Sequence, residues 1–228
     1  SRGIYLADPT QSDVPVEAIL GNDYAEQLRK GIDPNSATPS SDVLHLPEHR
    51  DTVYISVVDK DRNCCSFINT LFWGWGSGIT TPTSGIVLTN RGEGFVLEEG
   101  HPNCIAPNKR PLHTIIPAMA SKDGRVELNF GVMGGEYQAM GHMQFLTRYW
   151  DYGLDIQEAQ DAPRFMVDPF TGDVEIEAAV PDAVITELRA RGHTIERAAA
   201  PIGGSQAIAI DWDEGVLTGG SDPRKDGC

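Results

Sequence analysis

Asp51-Thr52-Val53-Tyr54-Ile55-Ser56-Val57-Val58 is the stretch on which the reading of this 228-residue chain turns. β-Branched and aromatic residues dominate it, so it predicts a strand that starts at Thr52. Asp59-Lys60-Asp61-Arg62-Asn63 supplies a turn, and Cys64-Cys65-Ser66-Phe67-Ile68-Asn69-Thr70-Leu71-Phe72 a second strand, so the pair reads as a hairpin. Just upstream the character is different. From Ile32 to Arg50 the chain is polar and punctuated by Pro34, Pro39 and Pro47, a linker without periodicity. Before that, Val14–Gly31 reads as one helix, with Pro15 in its first turn, Val16, Ile19, Leu20 and Ala25 on one face, and Gly31 as its cap.

Downstream of the hairpin, short strands are expected at Gly85–Asn90, Arg125–Val132, Val174–Glu177 and Ala207–Trp212. Helices are expected at Glu136–Trp150, at Asp155–Asp161 behind an Asp155…Glu158 capping box, and at Pro181–Arg191. Strand pairs flanking a helical middle imply an α+β sandwich rather than a doubly wound sheet. A formal charge of −15 repels phosphate backbones and anionic lipid, which argues against nucleic-acid and membrane roles. No apolar run is long enough for a spanning helix. Cys64, Cys65, Cys104 and Cys228 form neither a disulfide framework nor a CxxC pair, and read as thiols of a reducing compartment. The six histidines lack ligand spacing, so no metal and no cofactor is expected. The first residues carry neither a Met nor a signal-type apolar segment, and the expectation is a chain that begins partway through a longer protein.

The junction of a linker ending at Asp51 with a strand beginning at Thr52 admits two readings. Thr52 is either an ordinary strand-initiating residue or, once the Asp51–Thr52 bond is cut, a nucleophile whose own α-amine is its base. An α-amine titrates near neutrality and can take the hydroxyl proton without a histidine. In the uncut chain the same hydroxyl lies one residue from the Asp51 carbonyl, where attack leads to an ester and then cleavage. Val132-Met133-Gly134-Gly135-Glu136 joins a strand to a helix. Its paired glycines are either a tight turn or a turn whose N–H groups face an oxyanion near a helix N-terminus. Gly74-Trp75-Gly76-Ser77-Gly78 lacks the ending of a phosphate loop and reads as a loop lining a site. Cys65 has no context for a papain-type nucleophile.

Taken in order, Asp51–Asp61, Gly76-Ser77-Gly78-Ile79, Pro107-Asn108-Lys109-Arg110-Pro111, Met133-Gly134-Gly135, Asp151-Tyr152-Gly153-Leu154, Asp161-Ala162-Pro163-Arg164-Phe165, Gly204-Ser205-Gln206 and Ser221-Asp222-Pro223-Arg224 resemble the γ-glutamyltranspeptidase family. Tyr5-Leu6-Ala7-Asp8-Pro9 is similar to a segment near the end of that family's large subunit. The resemblance implies an αββα N-terminal-nucleophile hydrolase, made as a precursor that cuts itself into two subunits. Residues 1–51 would be the tail of the large subunit and 52–228 the small, catalytic one. Thr52 would be the nucleophile, Thr70 the threonine that hydrogen-bonds it, and Gly134 and Gly135 the oxyanion pair. The expected partners are a small-molecule amide and the remainder of the large subunit, with room for a homo-oligomer of the processed heterodimer. The expected compartment is the cytoplasm, with the periplasm as the alternative.

The departures from the family pattern concern the acyl pocket. Phe72 replaces an asparagine that family members use to hold substrate. The carboxamide and carboxylate that grip the γ-glutamyl α-amine fall at Arg91 and Gly94, and the paired serines that hold its carboxylate become His113 and Thr114. A lost carboxylate strands a substrate ammonium, and a gained arginine adds a bidentate donor for an anion. The resemblance therefore implies an acidic or neutral acyl group without an α-amine, as in the oxamate amidohydrolase and glutaryl-cephalosporin acylase branch. Glu93 stands one residue from the lost carboxylate and could restore ammonium binding, and Arg91 could instead be a surface turn residue. The rival readings are an ordinary γ-glutamyltransferase or glutathione hydrolase, and an unprocessed fragment or binding module.

Overall fold

The computed structural model describes residues 6–38, 51–168 and 171–227, with Asp51 described through its backbone. Its helices are α1 (Val16–Leu20), α2 (Asn22–Lys30), α3 (Tyr137–Leu146), α4 (Ile156–Asp161) and α5 (Asp182–Ala190). Its strands are β1 (Asp51–Val58), β2 (Cys64–Phe72), β3 (Pro117–Lys122), β4 (Arg125–Met133), β5 (Phe165–Val167), β6 (Val174–Ile176), β7 (Ile195–Arg197), β8 (Gly204–Ile210) and β9 (Leu217–Ser221). The described residues pack as two units: 6–38, 92–113 and 165–198 in one, 51–91, 114–164 and 199–227 in the other.

The unit that contains Thr52 is layered. β3-β4-β8-β9 form an antiparallel sheet, and the β1-β2 hairpin packs on one of its faces. β4 shows why. Its successive side chains alternate between faces, and both faces are covered. Leu128 and Phe130 point to α3 and α4, forming a core with Phe145, Ile156, Ala159 and Ala207. Asn129, Gly131 and Met133 point the other way. Asn129 Nδ2 donates to Ser56 Oγ at 2.9 Å and to the Cys65 carbonyl at 2.9 Å, so one buried amide ties β4 to both hairpin strands. Gly131 has no side chain because the Tyr54 ring lies there: a Cβ would come within 2.3 Å of it. Met133, Tyr54 and Ile68 close this second core.

The order is helix, sheet, sheet, three layers of the expected α+β sandwich. The hairpin's other face, Val53, Ile55, Val57 and Phe67, is 46–58% exposed, and no described helix of this unit covers it. In the second unit, β5-β6-β7 carry Val174, Ile176 and Ile195 against Ile185 of α5. Asp8 lies buried there and is held by Arg110, whose N–H donates at 2.9 Å and whose Nη2 donates at 3.0 Å, so two distant motif segments meet in one ion pair.

Several expectations are corrected. The single helix at 14–31 is two, broken where Gly21 adopts an extended backbone (φ −68°, ψ 144°), and it buries no residue. The strand at 85–90 is reduced to a bridge between Val87 and Thr80. The helix from 136 ends as α-helix at Leu146 and runs on as a π turn, Thr147–Asp151. The capping box is present, with Asp155 Oδ1 accepting from the Gln157 and Glu158 N–H groups. β3, β5, β7 and β9 were not foreseen. Residues 39–50 of the linker lie outside the described residues. None of the described helices is long and apolar enough to cross a membrane.

Candidate active site

Thr52 sits where the hairpin register slips. Asp51 pairs with Phe72 and Val53 with Asn69, so Thr52 alone faces both Thr70 and Leu71. It shares the even-numbered, sheet-facing side of the hairpin with Tyr54 and Ser56, while Thr70 shares that side of β2 with Ile68 and Phe72. Thr52 is 9% exposed, and its Oγ1 finds no hydrogen-bond partner among the described residues. A buried hydroxyl is ordinarily paired, so this one stands out. It opens on a cavity of about 700 Å³ lined also by Tyr54, Met133, Gln206, Ser221 and Lys225. Thr70 is engaged through its own hydroxyl oxygen, which accepts the Phe72 N–H at 3.0 Å.

Gly134 and Gly135 follow directly on Met133, the last residue of β4 and a wall of that cavity. Both have positive φ, 121° and 59°. At Gly134 a Cβ would also lie 2.8 Å from the Gly203 Cα, so conformation and space both require glycine. Their carbonyls accept the Tyr137 and Gln138 N–H groups of the first turn of α3, and their own N–H groups make no backbone bond among the described residues. Two adjacent N–H groups at a helix N-terminus, one residue beyond a cavity wall, are suited to a developing negative charge.

Arg91 is not a surface turn residue: it is 6% exposed. Its guanidinium carbon lies 5.0 Å from the centre of the Phe72 ring, and Nη1 donates to Thr114 Oγ1 at 3.0 Å. Nη2 is buried and has no hydrogen-bond partner among the described residues. Burial pulls its pKa down. Arg91, Thr114 and Phe72 belong to the same packing unit as Thr52, whereas Glu93 and His113 are exposed residues of the other one. Neither the Gly74–Gly78 loop nor Phe72, Arg91 or Thr114 is among the residues that line the Thr52 cavity.

Sequence reasoning missed a buried node around Asp222. Asp222 accepts from Arg164 Nη2, from Ser205 Oγ at 3.1 Å and from Arg224 Nη1 at 3.1 Å. Arg164 also donates to Ser205 Oγ and the Ile202 carbonyl, both at 2.9 Å, and lies 5.6 Å from the Tyr137 ring centre. The 161–165, 204–206 and 221–224 motifs thus converge on one point behind the cavity wall. Gln157 fixes that wall, donating to the Ser221 carbonyl at 2.8 Å and accepting its N–H at 3.0 Å. The motifs themselves were the signal, but nothing in their spacing says that they meet.

The sequence profile of the family described as Gamma-glutamyltranspeptidase matches residues 1–228. The chain is 37% identical to the glutathione hydrolase-like YwrD proenzyme of Bacillus subtilis, over 100% of this chain and 44% of that protein. It is 34% identical to the oxamate amidohydrolase proenzyme of Klebsiella pneumoniae, again over 100% of this chain and 44% of that protein. The crystal structure of the cephalosporin acylase from Bacillus halodurans superposes with a TM-score of 0.89 at 38% identity, covering 99% of this chain and 41% of that one. The chain therefore spans less than half the length of these relatives. Matched over its whole length by the profile and built on the α+β sandwich of the N-terminal-nucleophile hydrolases, it belongs to the γ-glutamyltranspeptidase family.

Proposed function

We propose that this chain is the catalytic part of a self-processing threonine amidohydrolase that acts on amides of an acidic acyl group lacking an α-amine. The observation that carries the reading is the Thr52 hydroxyl, buried, unpaired and open to a cavity at the first residue of a core strand. In the precursor, Thr52 Oγ adds to the Asp51 carbonyl carbon, the Asp51–Thr52 C–N bond breaks, and the resulting ester is hydrolysed. This frees the Thr52 amine and makes residues 1–51 and 52–228 parts of separate subunits. In turnover the amine takes the hydroxyl proton as Oγ attacks the substrate carbonyl. The Gly134 and Gly135 N–H groups stabilise the oxyanion, a donor of this kind being worth about 3–4 kcal/mol. The amine product departs with the proton, and water resolves the threonyl ester.

Arg91 supports the acidic acyl group. An ordinary γ-glutamyl donor would bring an ammonium toward a buried cation without a compensating carboxylate, which is costly. The partner for the exposed apolar face of the hairpin is the remainder of the large subunit, since Val53, Ile55, Val57 and Phe67 form a face of the kind that helices cover in a four-layer sandwich. The free thiols of Cys64, Cys65 and Cys104 favour the cytoplasm as its compartment.

The test is mass spectrometry of the purified protein together with a panel of acyl p-nitroanilides. A fragment beginning at Thr52 and turnover of glutaryl over γ-glutamyl anilide are expected. Thr52→Ala should abolish both processing and turnover, and Thr52→Ser should keep part of each. Turnover near the parent rate in Thr52→Ala rejects the nucleophile, and preference for the γ-glutamyl compound rejects the acyl group.

A further inference from the structure

Phe72 is 2% exposed and has φ +80°, a left-handed conformation that bulky residues adopt only when their surroundings over-determine it. The surroundings here do so. The Phe72 N–H donates to Thr70 Oγ1 at 3.0 Å. The Leu71 carbonyl accepts from Thr89 Oγ1 at 2.9 Å and from the Asn90 N–H at 3.3 Å. The Trp73 N–H donates to Asn90 Oδ1 at 3.1 Å, and the Arg91 N–H to Thr89 Oγ1 at 3.3 Å. Leu71-Phe72-Trp73 and Thr89-Asn90-Arg91 are thus stitched side by side. The product of that stitching is one contact: the Arg91 guanidinium over the Phe72 ring at 5.0 Å, with Nη1 held by Thr114.

We propose that Phe72 is a positioning residue, whose strained backbone and ring hold the buried Arg91 guanidinium so that Nη2 receives the distal carboxylate of the acyl group. This rests on the acyl specificity proposed above, and it changes the part played by Phe72. Phe72 no longer stands in for the lost asparagine as a substrate contact; it is the platform under the residue that makes the contact. The ring supplies a cation–π surface that keeps the charge in place without an acidic partner, which would compete with substrate for it. The same turn also reaches the nucleophile. Phe72 is the cross-strand partner of Asp51, and its N–H occupies an acceptor site of Thr70, the residue expected to support Thr52. Carboxylate recognition and nucleophile support therefore share Thr70-Leu71-Phe72.

The experiment compares Phe72→Leu, which removes the π face, with Phe72→Tyr, which keeps it. Two readouts are used on the processed enzyme: kcat and KM for glutaryl and pentanoyl p-nitroanilides, and binding of free glutarate by calorimetry. In Phe72→Leu the ratio of kcat/KM for the glutaryl over the pentanoyl compound should fall about tenfold, chiefly through KM for the glutaryl compound. Phe72→Tyr should keep that ratio within about threefold of the parent. Glutarate affinity should follow the same order. Equal losses on both substrates, or a Phe72→Tyr protein as impaired in selectivity as Phe72→Leu, would overturn the positioning role. Binding of glutarate to Thr52→Ala separates the two proposals, since that protein keeps the subsite whether or not Thr52 is the nucleophile. Absence of glutarate binding in both the parent and Thr52→Ala would overturn the subsite itself.

Discussion

Asp222→Ala removes the shared acceptor of two buried arginines. The Arg164 side chain is 3% exposed, that of Arg224 10%, and that of Asp222 0%. Arg164 also donates to the Ile202 and Gln160 carbonyls and to Ser205 Oγ, which are neutral and do not replace the carboxylate. Removing one side of a buried ion pair while the other stays buried costs about 3–5 kcal/mol. With a urea m-value of about 2 kcal/mol/M, that moves the unfolding midpoint down by about 2 M. Trp73, Trp75, Trp150 and Trp212 all belong to the unit that contains Asp222, so tryptophan fluorescence follows this unit and not the other. Asp222→Asn keeps an acceptor for the Arg224 N–H, now at 2.9 Å, and should lose less than Asp222→Ala. A midpoint within about 0.5 M of the parent in Asp222→Ala would refute the view that this node secures β8, β9 and the end of α4.

Gly134→Ala should reduce turnover at least about 100-fold, the size of a lost oxyanion donor, because φ 121° and the approach of Gly203 both force the turn to shift. Turnover within threefold of the parent would count against the oxyanion assignment. His142 of α3, its ring 5.0 Å from that of Phe130 in β4, is pulled down to about 4 by burial, and its Nε2 has no hydrogen-bond partner among the described residues. The unfolded chain therefore binds its proton first. Stability should be unaffected by His142 above pH 6.5, fall between pH 6.5 and 4 by at most about 3 kcal/mol, and level off below. His142→Phe should flatten that interval in fluorescence-detected unfolding. Asp8 also loses stability as pH falls, through the loss of an ion pair rather than the charging of a buried neutral ring. Hydrogen bonds from Arg110 hold its carboxyl well below the usual range, so its contribution is complete above about pH 4 and is lost as pH falls. The difference between the parent and Asp8→Asn should shrink as unfolding is measured at progressively lower pH below 4, and a pH-independent difference would contradict the ion pair.

Local chemistry alone made much of the molecule legible. The hairpin at 51–72, the capping box at Asp155, the strand entering Gly134-Gly135 and the helix leaving it depend on side-chain branching, caps and turn glycines within a few residues, and such rules act before the chain collapses. The ordered motifs likewise carried the family. The short strands β3, β5, β7 and β9 escaped notice because their patterns are weak and cross-strand partners stabilise them, not their own propensity. The break at Gly21 and the loss of a strand at 85–90 are failures of the same kind, since a period in the sequence does not say whether the face it creates is covered.

The site divides along the same line. A threonine at the head of a core strand and a glycine pair between strand and helix could be picked out residue by residue, because each is defined by its own place in the chain. That Arg91 is buried rather than a surface turn residue, that it rests on a strained Phe72, and that Asp222 gathers Arg164, Ser205 and Arg224 were decided only when the chain folded. The physical reason is that desolvation and charge compensation depend on atoms distant in sequence. The same guanidinium is an ordinary cation in water and, once enclosed, a charge whose lost hydration has to be compensated.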